Sequence, residues 1–408
     1  MKKIAFVTYA LNVGGMESML LTLARGLRGY GFAPHFIITD NIGAWHERIR
    51  DEGFPVEAVL PSPLESRQRH VRRLAATLAG HDVVLLNHSR AGQSAIGLLP
   101  NMSVTISVLH NNDEDIFDVG LANHTNMDAL VAVGHRVQKE AEKRGVRLAK
   151  LACIRNGVEI FPSFPKKEAA TANDGLLKVI YLGRITHKQK GIFYLPRILA
   201  EARAKSASII LDIVGEGPDL GVLRNLFYEH KSDDAVTIHG PLPHNQAMDF
   251  LLSADVLIMP SHYEGQPIIL FEAMARGVVP VVSRLKGITD TVIEDGVTGF
   301  LAPVGDEKAF ADSLVRLTQI DFRRKVSHAA WKTAVNNFSA ECMTRSFVHL
   351  INQCIEKRKK GMLPERTQTV DISLLGKFSN FPIIFQNVGS ELKKVLRGSG
   401  IKGNKHGN

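Results

Sequence analysis

Cysteine is scarce in this 408-residue chain: Cys153, Cys342 and Cys354 are the only three, and no two form a Cys-x-x-Cys pair. That spacing excludes a disulfide framework and a cysteine-built zinc site, and a reducing compartment is expected. No apolar run approaches the roughly 18 residues needed to span a bilayer, so an integral membrane protein is not expected. The sixteen histidines include no HExxH spacing, which removes the simplest metalloenzyme reading. Lys2 and Lys3 precede an apolar stretch, Ile4–Leu11, that is short for a signal peptide and runs into Gly14 and Gly15. It reads as a first buried strand followed by a turn. Acidic residues are in the minority, 41 against 50 basic ones, for a net charge of +9. Residues 355–408 hold 11 Lys and Arg against 4 Asp and Glu, so most of the excess sits there. A broad nucleic-acid-binding face is thereby excluded, because the rest of the chain is nearly neutral.

What is present is a regular alternation of short β-rich apolar runs with helix-period segments, the pattern of parallel sheets with crossover helices. Strands are predicted at Ile4–Thr8, His35–Thr39, Val83–Asn87, Val104–Leu109, Ala129–Val133 and Leu151–Ile154. A second series follows at Val179–Leu182, Ile209–Val214, Val236–His239, Val256–Met259 and Val279–Ser283. Helices are predicted between them, among them Met16–Arg28, Glu65–Leu78, Ile192–Ala204, Ile268–Arg276 and Glu307–Leu317. The expected fold class is α/β, with two doubly wound Rossmann-like domains facing each other and a C-terminal extension. The expected boundaries are residues 1–160 for the first domain, 161–175 for a linker, 176–355 for the second domain with its closing helices, and 356–408 for a basic, partly amphipathic tail. In open α/β sheets ligands bind beyond the carboxyl ends of the strands, so function is sought in those loops.

Three loops carry the candidate chemistry. Gly14 and Gly15 follow the first strand and open a helix, where free N–H groups favour an anion; the third glycine of a dinucleotide fingerprint is missing. The segment Tyr181–Gly191 follows a strand with Gly183, Arg184, Lys188 and Lys190, a guanidinium and ammoniums suited to a diphosphate, or else a solvated basic loop. Glu264-Gly265-Gln266-Pro267-Ile268 then leads into a helix carrying Glu272 on an apolar face. A partly buried carboxylate there needs hydrogen-bond donors, which ligand hydroxyls would supply.

Taken in order, Gly14-Gly15-x-Glu17, Gly183-Arg184 with Lys190-Gly191, Val214-Gly215-Glu216-Gly217-Pro218 and Glu264-x7-Glu272 resemble the family 4 glycosyltransferases of the GT-B fold over about residues 1–355. Arg155–Val158, Val292–Leu301 and Pro303–Asp306 extend the resemblance. It implies retaining transfer from a nucleotide-diphospho sugar, UDP-linked by first expectation, with no metal and no other cofactor. By the same resemblance Arg184 and Lys190 hold the diphosphate, Glu272 grips the ribose hydroxyls and Glu264 contacts the donor sugar. Gly215, Glu216 and Gly217 border the base, His110 stands beside the transferred sugar, and Gly14 and Gly15 lie near diphosphate and acceptor. Three departures stand out: Lys188 as a further cation, Gly287-Ile288-Thr289-Asp290 where Gly-x-Pro-Glu is usual, and Gln266 where an aromatic residue is frequent.

The expected product is a glycolipid or polysaccharide of the cell envelope, made in the cytoplasm, with a catalytically silent nucleotide-sugar-binding protein or a GT-B epimerase as alternatives. Asp113-Glu114-Asp115 has a metal-nucleotide form known from another fold, and is read here as an acidic loop or acceptor contact. Cys153, at a strand, is expected to be buried. Arg67, Arg69, Arg72 and Arg73 flank an apolar stripe and read first as a solvated helix face, second as a contact to anionic lipid. Lys357–Lys360, Phe378, Phe381–Phe385 and Leu392–Arg397 suggest peripheral docking at the inner membrane face, or a flexible extension.

Overall fold

A computed structural model of the chain describes residues 1–12, 14–161, 163–165, 176–205, 207–375 and 383. Most of the linker expected at 161–175 and most of the aromatic and basic stretch after 375 lie outside the described residues. The chain divides into two compact units: Met1–Ala132, Gln138–Cys153 and the chain from Phe347 onward form the first, and Val133–Val137 with Ile154–Ser346 form the second.

The first unit's sheet contains β1 (Lys2–Ala10), β2 (Phe32–Asn41), β3 (Val56–Ala58), β4 (Val83–Asn87), β5 (Val104–Leu109), β6 (Ala129–Ala132) and β7 (Leu151–Cys153). Their crossovers carry α1 (Gly15–Gly29), α2 (His46–Asp51), α3 (Arg67–Leu78), α4 (Arg90–Ala95), α5 (Glu114–Gly120) and α6 (His135–Lys143). All neighbours pair in parallel, in the order β3-β2-β1-β4-β5-β6-β7. Strand order reverses between β1 and β4, where Phe6 faces Phe36 on one side and Leu85 on the other. Ile4, Ala5, Phe6 and Val7 are all fully buried, which is why this strand reads as an unbroken apolar run.

The second unit repeats the plan with β8 (Leu177–Leu182), β9 (Ile209–Val214), β10 (Val236–Gly240), β11 (Val256–Met259), β12 (Val279–Ser283) and β13 (Phe300–Ala302). Its helices are α7 (His187–Lys190), α8 (Leu195–Ala204), α9 (Leu220–Glu229), α10 (His244–Ser253), α11 (Ile268–Ala275), α12 (Glu307–Leu317) and α13 (Ile320–Asn337), and α14 (Ala340–Lys359) then runs from this unit into the first. The order is β10-β9-β8-β11-β12-β13, again parallel, with the reversal between β8 and β11. Alternate residues of β8 enter different cores: Val179 and Tyr181 pack with Ile209 and Leu223, whereas Ile180 packs with Leu257 and Met248. Both faces of the strand are covered, so no polar residue interrupts Val179–Leu182.

Three expectations change. The edge strand β7 leaves Cys153 only partly buried, because it has a neighbour on one side alone. Residues Ile154–Phe161 cluster with the second unit, where Ala340 N–H donates to Val158 O and Val158 N–H to Phe338 O, both at 2.8 Å. The boundary expected at 355 falls inside α14, and the chain from Phe347 clusters with the first unit. The reason is electrostatic: the fully buried Asp128 carboxylate accepts from Arg358 Nη2 at 2.5 Å and lies 3.5 Å from Arg366 Nη2. Arg366 also donates to the Pro100, Ser103 and Asn126 carbonyls, and burial pushes its guanidinium down to about 10. Residues 364–375 therefore form a strap over α3 and α4, with Gln368 N–H bonded to Gly97 O at 2.9 Å and Arg67 to Leu375 O at 2.7 Å.

Candidate functional site

In each unit the candidate residues gather at the carboxyl edge where the strand order reverses, which is where an open α/β sheet forms a crevice. In the second unit the loop after β8 carries Gly183, Arg184, Lys188 and Lys190, and the loop after β11 carries Glu264, Gly265 and Gln266. The two meet at one ion pair. Lys190 Nζ lies 2.7 Å from Glu264 Oε1, and Ser261 Oγ donates to the same oxygen at 2.7 Å. Glu264 is 8% exposed, and a carboxylate so buried requires donors of this kind. Arg184 and Lys188 are exposed, and among the described residues the Arg184 guanidinium makes no ion pair. The buried Tyr181 hydroxyl donates to Arg184 O at 2.7 Å and fixes that turn; burial, helped by the charge of Glu264, pushes the phenol upward.

Gly215, Glu216 and Gly217 follow β9 and pack directly beneath this loop. An ideal Cβ on Gly215, whose φ is +145°, would stand 2.0 Å from Gly183 O, so only glycine lets the two backbones cross. Glu216 is exposed and its carbonyl accepts from Ile185 N–H at 2.7 Å, while Gly217 lies against Ile185 O. The two glycines thus have a packing reason for their identity. Pro267 caps α11 at its amino end and Ile268 begins it, both buried. Glu272 is 9% exposed on α11, with Oε1 3.9 Å from His244 Nε2. Gln266 Oε1 accepts from Asn156 N–H at 3.0 Å, which gives the departure from an aromatic residue a structural role. In the altered Gly287–Asp290 element, the buried Thr289 hydroxyl bonds Ser283 O and Leu285 N, both at 2.7 Å, and Asp290 accepts from Gly287 N–H at 2.6 Å. It is a closed turn built from different side chains.

In the first unit, Gly14 is the extended cap of α1 and Gly15 its first residue. Glu17 is buried beside them and accepts from Asn12 N–H at 3.0 Å; burial pushes its carboxyl upward against that bond. His110 follows β5, and its Nε2 lies 3.0 Å from Asn87 Oδ1. Asn87 gives its amide N–H to Leu85 O, so Oδ1 accepts and His110 Nε2 carries the proton. Burial, with His88 adding to it, pushes His110 down to about 3, so its imidazole is neutral at pH 7. His88 holds a left-handed backbone at φ 54°, an uncommon cost for a residue with a Cβ, and its Nε2 lies 2.9 Å from Asp115 Oδ2. Two members of the acidic triplet are paired locally, Asp115 also with Arg90 and Glu114 with Arg144 at 2.9 Å, while Asp113 stands at the N-cap position of α5 without a side-chain capping bond.

The loop residues are legible in the sequence, and the side chains that hold them are not. Ser261, His262, Tyr194, Tyr181, Asn87 and His88 obey no fixed spacing to the residues they hold. Their one legible signal is position, since Ser261, His262 and His88 all lie just beyond a strand end.

This geometry has relatives. Residues 13–160 match the model of Glycosyltransferase Family 4, and residues 163–333 match that of Glycosyl transferases group 1. WcaL of Escherichia coli (strain K12), named for colanic acid biosynthesis, is 29% identical over 232 residues, 55% of this chain and 56% of its own. The amylovoran biosynthesis glycosyltransferase AmsK of Erwinia amylovora is 29% identical over 201 residues, 47% of this chain and 48% of its own. The chain thus spans about half the length of these curated relatives. The crystal structure of Anabaena HepE in complex with UDP and glucose superposes with a TM-score of 0.70 at 17% identity, over 86% of this chain and 100% of that one. Staphylococcus aureus TarM superposes at 0.69 and 13% identity, over 86% and 99%. Two parallel doubly wound sheets, each matched by one of the paired family models, make the chain a member of the family 4 glycosyltransferases with the GT-B fold.

Proposed function

We propose that the protein is a retaining glycosyltransferase that moves a sugar from a nucleotide-diphospho sugar, UDP-linked, to a glycolipid or polysaccharide acceptor, without a metal. The observation that carries this reading is the Lys190–Glu264 pair at the reversal of strand order in the second unit, with the exposed Arg184 in the same loop. An ammonium has three donors, so Lys190 keeps two for phosphate oxygens while one remains on Glu264. Arg184 adds a planar fork, and Lys188 a further charge. The bond between anomeric carbon and diphosphate oxygen breaks with its electrons passing to the diphosphate, and these cations stabilise that developing charge. The acceptor oxygen forms the new bond on the same face, and its proton leaves to the departing phosphate or to Glu264. Glu272 accepts from ribose hydroxyls, and neutral His110 serves the transferred sugar through hydrogen bonding. The complexes of HepE and of TarM with UDP support the choice of nucleotide.

Nucleotide release from UDP-, GDP- and ADP-sugars tests the reading. Arg184→Ala is expected to slow release by about 10²–10³-fold, as for loss of one donor to a developing oxyanion; unchanged release removes Arg184 from the diphosphate. Interconversion of the free donor without acceptor would indicate an epimerase, and binding without release a silent protein. Among the described residues no helix is long and apolar enough to cross a membrane. We place the enzyme in the cytoplasm at the inner membrane face, held by the basic C-terminal segment.

A further inference from the structure

A helix ends with carbonyls that have no partner within it, and α7, at four residues, is nearly all end. Two of its carbonyls are taken by one residue from another loop. His262 Nδ1 lies 3.1 Å from Lys188 O, and the His262 backbone N–H bonds Gln189 O at 2.9 Å. A carbonyl only accepts, so Nδ1 carries the ring proton and Nε2 is the acceptor for the Tyr194 hydroxyl 2.8 Å away. The His262 ring stands edge-on to His187, centroids 4.9 Å apart, and His187 in turn stacks on Phe193 at 4.3 Å. Gly191, at φ +63°, closes the turn so tightly on Pro260 that an ideal Cβ would lie 2.0 Å from the Pro260 carbonyl oxygen.

Two residues beyond His262, Glu264 meets Lys190, the last residue of α7. The same loop therefore grips α7 through its backbone and through its terminal ammonium. A lysine on a flexible four-carbon stem is poorly oriented by one ion pair alone, and it is the backbone grip that sets where its stem begins. We propose that His262, backed by Tyr194, is a positioning residue for the diphosphate grip: it locks α7 to the loop after β11 and so keeps Lys190 in register with Glu264. His262 does not itself touch the donor. The proposal rests on the donor reading above, and its test separates the two.

The test uses the full chain and its His262→Ala, His262→Asn, His262→Gln and Tyr194→Phe variants. Affinities for UDP and for uridine are measured by ligand-observed NMR, and amide exchange is followed at Lys190 and Gly191 without ligand. Those amides bond Thr186 O at 2.9 Å and His187 O at 3.0 Å, within the braced turn. His262→Ala is expected to weaken UDP binding by about tenfold, the loss of roughly one hydrogen bond's worth of order, to leave uridine unchanged and to speed exchange at both amides. Asparagine carries an N–H near the Nδ1 position and restores both readouts; glutamine reaches Tyr194 instead of Lys188 O and restores less. Tyr194→Phe shifts both in the same direction by a smaller amount. UDP affinity and exchange like wild type in His262→Ala overturn the proposal, and so does an equal loss for UDP and uridine, which marks general damage. If the wild-type chain binds no UDP while exchange responds as stated, the donor reading falls and His262 is reduced to a structural brace.

Discussion

Lys190 and Glu264 illustrate how a residue in the proposed site is bound into the fold. Glu264 is almost entirely buried, and its donors are one ammonium and one hydroxyl, both 2.7 Å away. Lys190→Met would leave that carboxylate with Ser261 alone, and breaking a buried pair from one side costs about 3–5 kcal/mol. Urea unfolding should show a loss near the lower figure, because Lys190 keeps some solvent, together with lost nucleotide release; Ser261→Ala should cost only about 1 kcal/mol. His110 makes a prediction of opposite character. Its imidazole is held at about 3 in the folded chain, against about 6.5 when unfolded. Between those values the unfolded chain takes up a proton that the folded chain refuses, so stability is complete above about pH 6.5 and falls as pH drops towards 3. Denaturant titrations at pH 7 and pH 4 should show wild type losing more stability than His110→Gln, which keeps a donor to Asn87. Equal losses would show that His110 titrates normally. The loops that carry these residues were legible in the sequence, since glycines, cations and carboxylates cluster after apolar runs. Their partners were not: Asn87 bonds His110 from 23 positions away, and nothing in spacing announces that contact.

At the scale of elements, the buried strands were legible as continuous apolar runs, with Val83–Asn87 and Val256–Met259 at their expected bounds, whereas β1 and β2 extend beyond the expected Ile4–Thr8 and His35–Thr39 at both ends. The short edge elements β3 and β13 were missed, being three residues each with little pattern to read. The C-terminal strap was not legible for a different reason. Lys357-Arg358-Lys359-Lys360 reads as part of a docking segment or a flexible extension, and three of its side chains are exposed, yet Arg358 is 7% exposed and Arg366 5% exposed, both turned onto Asp128. Asp128→Asn should destabilise the first unit by about 3–5 kcal/mol, since two guanidiniums would lose their counter-charge in a dry setting. Thermal unfolding would reveal this as a marked drop in Tm, and a change within error would mean that water reaches the cluster. Two buried arginines also lower the number of charges the C-terminal region offers to a partner.

At the scale of the whole chain, the strap determines how the membrane proposal is tested. A truncation after residue 360 removes Arg366 and with it part of the Asp128 cluster, so lost flotation with liposomes would confuse unfolding with lost binding. A truncation after residue 375 keeps the strap. Its expected outcome is a folded enzyme that no longer floats with phosphatidylserine vesicles at low salt, while the full chain does; equal flotation of the two would release the segment beyond 375 from the anchoring role. The sequence by itself determined the class of fold, the order of loops that carry the candidate chemistry, and the family, because hydrophobic periodicity and ordered motifs are local and survive without coordinates. Tertiary structure alone decided which of the charges face a ligand and which face each other. Lys190 with Glu264 and Arg366 with Asp128 look alike as isolated letters. Burial and long-range pairing are properties of the folded chain, and they make the first a candidate grip on a substrate and the second a clasp within the fold.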